Sequence, residues 1–188
     1  MSYTLEDFAT DCRNALRADP GQSGQEKVLD FVRKALQDEE FVATNVPASL
    51  PEDRNVIYRD EELGFLICAH NNPGAKKGYP HDHGSTWAIY GQAVGYTDMS
   101  EFDRLDNESK EGVAKLKMVR EYRLTPGLAG MFGPRQIHAI HFVEGSRFIR
   151  IIGTDLSRIA TRKFDMVAGT VTEVPPTAGS LGAGGNSA

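Results

Sequence analysis

What this sequence has little of narrows the field first. Only two cysteines, Cys12 and Cys68, occur in 188 residues, too few for a disulfide framework, so a reducing, cytoplasmic setting is expected. No run approaches the roughly 18 apolar residues of a membrane span. The opening MSYTLEDFATD lacks the basic-then-apolar order of a secretion signal, and no membrane partner is expected. Basic residues are outnumbered, 21 to 26, for a net charge of −5, which argues against a concentrated basic face for nucleic acid. Neither a G-x-S-x-G elbow nor a Walker lysine motif occurs, and GLAGMFG lacks the strand and helix context of a nucleotide loop. There is no internal repeat.

What remains is ordinary globular material, 40% apolar and 25% charged, long enough to bury a real core as one domain with a small appendage. The first forty residues read as two amphipathic helices. Thr4 and Asp7 resemble a capping box ahead of Leu5, Phe8, Ala9, Cys12 and Leu16, and Asp19-Pro20-Gly21 stops that helix. Ser23 and Glu26 suggest a second box ahead of Val28, Leu29, Val32, Ala35 and Leu36.

After residue 53 short β-branched and aromatic runs recur between turn signals: Asn55–Tyr58, Gly64–Ala69, Thr86–Tyr96, Val113–Leu124, Ala129–Phe132, Ile137–Val143 and Arg147–Gly153. Strands with frequent turns and no intervening helix predict an antiparallel sandwich or barrel. The acidic stretch Asp98–Glu111 reads as a loop between strands. The expected division is a helical segment over 1–45, a β-barrel over 46–173 and a flexible tail over 174–188.

Five histidines carry the chemistry, two of them spaced His-x-His. On a strand, residues two apart face the same side, so His81 and His83 would project together and could share a metal ion. A third ligand is sought in GPRQIHAIHFVEG, where His138 and His141 stand three apart and would face opposite ways, so one of them should reach the metal.

These residues resemble the cupin superfamily of double-stranded β-helix proteins. Its first motif, G(x)5HxH(x)3–4E(x)6G, is matched by His81, His83 and Gly91, and its second by Gly133-Pro134 followed by His138. The usual glutamate is replaced by Trp87 or Ala88. Three histidines without a carboxylate look like the thiol dioxygenase branch, the cysteine and 3-mercaptopropionate dioxygenases. The resemblance covers about a hundred residues, Arg54 to Asp155, with HDHG, WAIYGQ, GYTDM and FIRIIGTDL as its segments.

The resemblance implies a mainly β antiparallel double-stranded β-helix with an N-terminal helical pair. It further implies a metal held by His81, His83 and His138, Fe(II) first, with Zn(II) or Ni(II) suited to the same ligands, and a homodimer built through strands. It gives Arg54 the task of binding a substrate carboxylate, which a guanidinium does through two parallel hydrogen bonds. The Ser, His and Tyr that such enzymes carry on a late strand are replaced by Arg150, Ile152 and Thr154. The cysteine and tyrosine that cross-link in the animal enzymes correspond to Ala88 and Thr154.

Other residues have narrower readings. Arg150, inside the apolar run RFIRII, either pairs with an internal carboxylate or meets an acidic substrate. Strand parity from His81 and His83 puts Trp87 on the pocket side, as wall or core, and sends Tyr90 and Gln92 outward. His70 reads as a polar strand-end residue, His141 as a bystander, and Cys68 as a small buried apolar residue. The expected activity is oxidation of a small, carboxylate-bearing substrate with O2. A non-redox metal enzyme (isomerase, lyase or hydrolase) or a non-catalytic metal- or ligand-binding cupin are the alternatives.

Overall fold

The computed structural model describes residues 2–177, so most of the tail expected over 174–188 lies outside the described residues. The first helix, α1 (Leu5–Ala18), starts on the expected capping box, Thr4 and Asp7 each accepting the other's backbone N–H at 3.1 Å. The second box does not form. Helix α2 (Gln22–Gln37) begins a residue before Ser23 with Gly21 as its cap and no side chain bonded there. Asp19 has already turned the chain, its carboxylate accepting from Gly21 N–H at 2.8 Å. A third helix, α3 (Glu39–Asn45), makes three where two were expected. Asp38 starts it, accepting from Phe41 N–H at 3.0 Å and tying down Tyr3 N–H at 2.8 Å.

Eleven strands follow among the described residues: β1 (Asp53–Arg59), β2 (Leu66–Asn72), β3 (Lys76–Lys77), β4 (Ala88–Val94), β5 (Thr97–Arg104), β6 (Leu116–Leu124), β7 (Ala129–Phe132), β8 (Ile137–Phe142), β9 (Ser146–Ile152), β10 (Thr161–Asp165) and β11 (Thr170–Val174). They form a five-stranded sheet β1-β2-β9-β4-β7, a four-stranded sheet β3-β8-β5-β6 and a β10-β11 hairpin. The pairing is nested: β2 with β9, β3 with β8, β4 with β7 and β5 with β6, all antiparallel. The outgoing and returning chain therefore make one ribbon wound between two sheets. This is a double-stranded β-helix.

The segment expected as a loop over Asp98–Glu111 is a strand for its first half. Thr97 and Met99 of β5 are buried, and the acidic residues beside them are matched across the ladder by basic residues of β6. Asp98 meets Arg123 at 2.6 Å and Glu101 meets Arg120 at 3.6 Å. Cross-strand charge pairing lets a polar sequence hold a strand that hydrophobic alternation alone would not reveal. The hairpin β10-β11, also unread in the sequence, closes one end of the barrel.

The five-stranded sheet is covered on both faces, which is why FLICA and FIRII read as nearly continuous apolar runs. Ile67, Ile89, Ile149 and Ile151 face outward to Phe8, Val28, Val32 and Phe41 of the helices. Leu66, Cys68, Tyr90, Phe148 and Ile152 face into the barrel with Met99 and Phe132. Gly91 marks where α2 comes nearest to β4, because a Cβ there would stand 2.4 Å from Val32 Cγ1 and 2.6 Å from Leu36 Cδ1. Val32 is β-branched and fully buried, with little freedom to yield. Gly91→Ala is expected to lower unfolding stability by about 1–3 kcal/mol, read from urea denaturation.

Candidate metal centre

His81 and His83 do not start a strand. They lie in the connection between β3 and β4, and His81 is held there by backbone alone: it exchanges both N–H···O bonds with His138 of β8, at 2.9 and 3.0 Å. On its other side the segment is pinned to β10, with Phe164 N–H on the Pro80 carbonyl and Asp82 N–H on the Arg162 carbonyl.

Asp82, the residue between the two histidines, is the buried post of this loop. Its carboxylate accepts from Gly84 N–H at 2.9 Å, from Arg162 N–H at 3.1 Å and from Arg162 Nε at 2.6 Å. Gly84 then turns with φ +59°, where a Cβ would stand 2.0 Å from the Ala160 carbonyl oxygen. Only glycine both adopts that φ readily and fits that space.

The result brings three imidazoles together. Ring centroids of His81, His83 and His138 are 4.5–5.4 Å apart, and one potential ligand atom from each lies within 4.8 Å of the others. His81 Nδ1 lies 3.0 Å from the Tyr79 carbonyl and His138 Nδ1 lies 3.3 Å from that of Gln136. A carbonyl only accepts, so both rings carry their proton on Nδ1 and leave Nε2 free. His83 Nε2 is 3.1 Å from the Tyr90 hydroxyl, while its Nδ1, like His138 Nε2, is buried without a partner. Orphaned buried nitrogens on converging rings fit a divalent ion, and the backbone carbonyls provide the orienting contacts that metal-binding histidines use.

The rings are also in the right charge state. Burial, then the neighbouring imidazoles and Arg150, hold His83 well below the usual histidine range. Burial, then His81, does the same for His138, and burial lowers His81 as well. Neutral imidazole is the form that a metal requires.

His141 is on the exposed outer face of β8, three residues from His138 and outside the cluster, as the spacing predicted. Strand parity does not carry past His83. The turn between His83 and β4 breaks strand alternation, so Tyr90 and Gln92 face into the barrel and are buried. Trp87 instead packs into the layer beneath the helices.

A cavity of about 230 Å³ opens beside the cluster, lined by His81 and Tyr90 at one end and by Arg54, His70, Phe148 and Arg150 elsewhere. Arg54 of β1 is exposed at the rim. Arg150 lies deeper, its guanidinium 5.8 Å from the Tyr90 ring centre and its Nε buried without a partner. Of its two expected settings, the internal carboxylate is not found: no ion pair joins Arg150 to an acid among the described residues.

His70 is also corrected. Strand β2 runs on to Asn72 and is paired on both sides, so His70 is an interior residue facing the cavity and not a strand end. Although β9 and the bend after it offer Ile152 and Thr154 in place of histidine and tyrosine, Tyr90 and His70 bring a hydroxyl and an imidazole from β4 and β2. A larger depression of about 830 Å³, lined by Arg104, Arg135, Arg158 and Arg162 with Glu108 and Glu173, borders the Asp82–Arg162 bridge, and none of the three histidines lines it.

No protein-family model matches this chain, and no curated protein matches it. Solved structures resemble parts of it. A cupin superfamily protein from Desulfitobacterium hafniense is 15% identical over 60% of this chain and 97% of its own, with a TM-score of 0.42. KdgF from a Halomonas species is 17% identical over 53% and 76%, with a TM-score of 0.39. The cupin domain of Cnp3 from Schizosaccharomyces pombe is 9% identical over 57% and 66%, with a TM-score of 0.43. Among the described residues no helix is long and apolar enough to cross a membrane.

Proposed function

We propose that this chain is a cupin-type metal enzyme that holds one divalent ion, Fe(II), on His81, His83 and His138 and oxidises a small carboxylate-bearing substrate with O2. The observation that carries this reading is the meeting of two incomplete groups at one cavity: a cluster of three imidazoles that reaches the cavity through His81, and a recessed guanidinium in the cavity wall with no acid to match it among the described residues. Three neutral ligands would leave an iron ion its full charge, and the chemistry it would supply is activation of O2 beside a bound substrate.

The chain's own residues would do the rest. Arg150 binds the acid group of the substrate in a site walled by Phe148 and Tyr90, where reduced solvent exposure strengthens the ion pair. The Tyr90 hydroxyl, whose pKa burial raises, stays protonated and can donate a hydrogen bond in the barrel. Aromatic walls limit the water that reaches the centre.

An oxygen electrode tests the reaction. Fe(II)-loaded protein is expected to consume O2 with a member of a panel of small mercapto acids, and His81→Ala to consume none. Absence of uptake across the panel would count against the oxidative reading. A non-redox metal enzyme is the second reading, favoured by one observation: at Ile152, where the resemblance calls for an imidazole, β9 presents a buried apolar side chain to the barrel.

A further inference from the structure

His70 takes no part in the metal cluster, yet it is among the least satisfied polar groups in the molecule. It is 8% exposed, makes no side-chain hydrogen bond among the described residues, and has its Nε2 closed off from solvent without a partner. Its ring lies flat on Phe148, centroids 4.4 Å apart and planes within 9°, and Phe148 in turn stacks on Phe142. The imidazole is thus fixed in orientation by packing alone. A buried polar group of this kind costs free energy unless something completes it. The space that it lines is the cavity beside the metal cluster.

The charges around it are one-sided. In the sheet, His70 stands directly across from Arg54 of β1 and from Phe148 of β9, two residues from Arg150. Arg54, Lys76 and Arg150 line the cavity against a single carboxylate, Asp53. Arg54 is at the rim and Arg150 is recessed near Tyr90, so the two guanidiniums stand at different depths with the imidazole between them. Burial, and then Arg150 and Arg54, push the His70 pKa well below its usual value, so the ring is neutral and offers one donor and one acceptor.

We propose that the cavity binds a short dicarboxylic acid, one carboxylate at Arg150 and the other at Arg54, with His70 hydrogen-bonding to it between them as the residue that sets specificity. This rests on the cavity being the substrate site and names the class of substrate. Arg150 and Arg54 each supply a fork of donors matched to a carboxylate. A volume of about 230 Å³ suits an acid of a few carbons.

Isothermal titration under argon tests this without redox chemistry, on Zn(II)-loaded and on metal-free protein, with malonate, succinate, glutarate and the monoacid butyrate. One dicarboxylate is expected to bind about tenfold or more tighter than butyrate. Arg150→Gln should remove that preference. His70→Phe, which keeps the stack on Phe148 and removes an unpartnered buried nitrogen, should weaken the dicarboxylate about tenfold, leave butyrate unchanged and not lower the thermal midpoint. His70→Asn, which restores a hydrogen-bonding side chain, should recover part of the loss. Equal affinity for mono- and diacids, binding of none of them, or a His70→Phe variant that binds as the parent does would overturn the proposal. Because neither iron nor oxygen enters the measurement, its outcome is independent of the oxygen-uptake result.

Discussion

His138→Ala is expected to purify with less than about a tenth of the divalent metal that the parent chain carries after the same loading, measured by elemental analysis. The expectation follows from geometry. His138 is fully buried, its Nδ1 faces the Gln136 carbonyl and its free Nε2 faces the other two rings. Loss of groups that merely orient a ligand typically costs 10–100-fold in metal affinity, so loss of a ligand from a set of three should cost at least about that.

The same substitution leaves a gap against Phe132, on which the ring stacks at 4.0 Å, and a stability loss of about 2–4 kcal/mol should accompany it. His81→Ala separates the two effects, because His81 is only partly buried and its backbone bonds to β8 survive the change. It should lose metal with little change in unfolding. His141→Ala, on the outer face of β8, should retain full metal. Full occupancy in both His138→Ala and His81→Ala would sink the assignment.

Asp82→Ala should be as damaging without touching any ligand. The Asp82 side chain is wholly buried, and its two oxygens hold the turn at Gly84 and the guanidinium of Arg162. Removing it strands a mostly buried cation, which retains only the half-exposed Glu108 at 3.2 Å. Breaking a buried pair from one side costs about 3–5 kcal/mol. It also frees the loop between His81 and His83, and metal affinity should fall about 10–100-fold. Urea unfolding and a competition titration with a chelating dye read the two effects separately. Asp82→Asn keeps an acceptor for Gly84 N–H and should lie between parent and alanine variant. An alanine variant with parental metal affinity would show that the loop is held by backbone bonds alone.

Much of the fold could be read from residue patterns because the five-stranded sheet is sandwiched between helices and barrel interior. Burial on two faces writes apolar runs such as FLICA and FIRII directly into the chain. The acidic β5 escaped notice because its partner charges, Arg120 and Arg123, are some twenty residues away in sequence and become neighbours only across the ladder. Among the histidines, spacing correctly separated His138 from His141, since both sit on one real strand. The same rule failed for Tyr90, because alternation does not carry through the turn at Gly84. His70 was hidden by the Asn-Asn-Pro-Gly signal after it, which suggested an end where the strand in fact continues to Asn72. Arg150 was legible as a charge out of place in an apolar strand. What it lacked, a carboxylate, could only be seen in three dimensions.

The hairpin at the C-terminal end has a consequence for how the molecule is made. A ribosome delivers His81 and His83 long before β8 and β9 exist, and the residues that pin their loop, Arg162 and Phe164, come later still. Such distant pairings close late, after the entropy of bringing remote segments together has been overcome. A nascent chain therefore carries two of the three clustered imidazoles on an unanchored loop, which offers no enclosed seat for an ion. If the cluster holds a metal as proposed, tight capture would wait until nearly the whole described chain had emerged, and metal loading would report on completed folding.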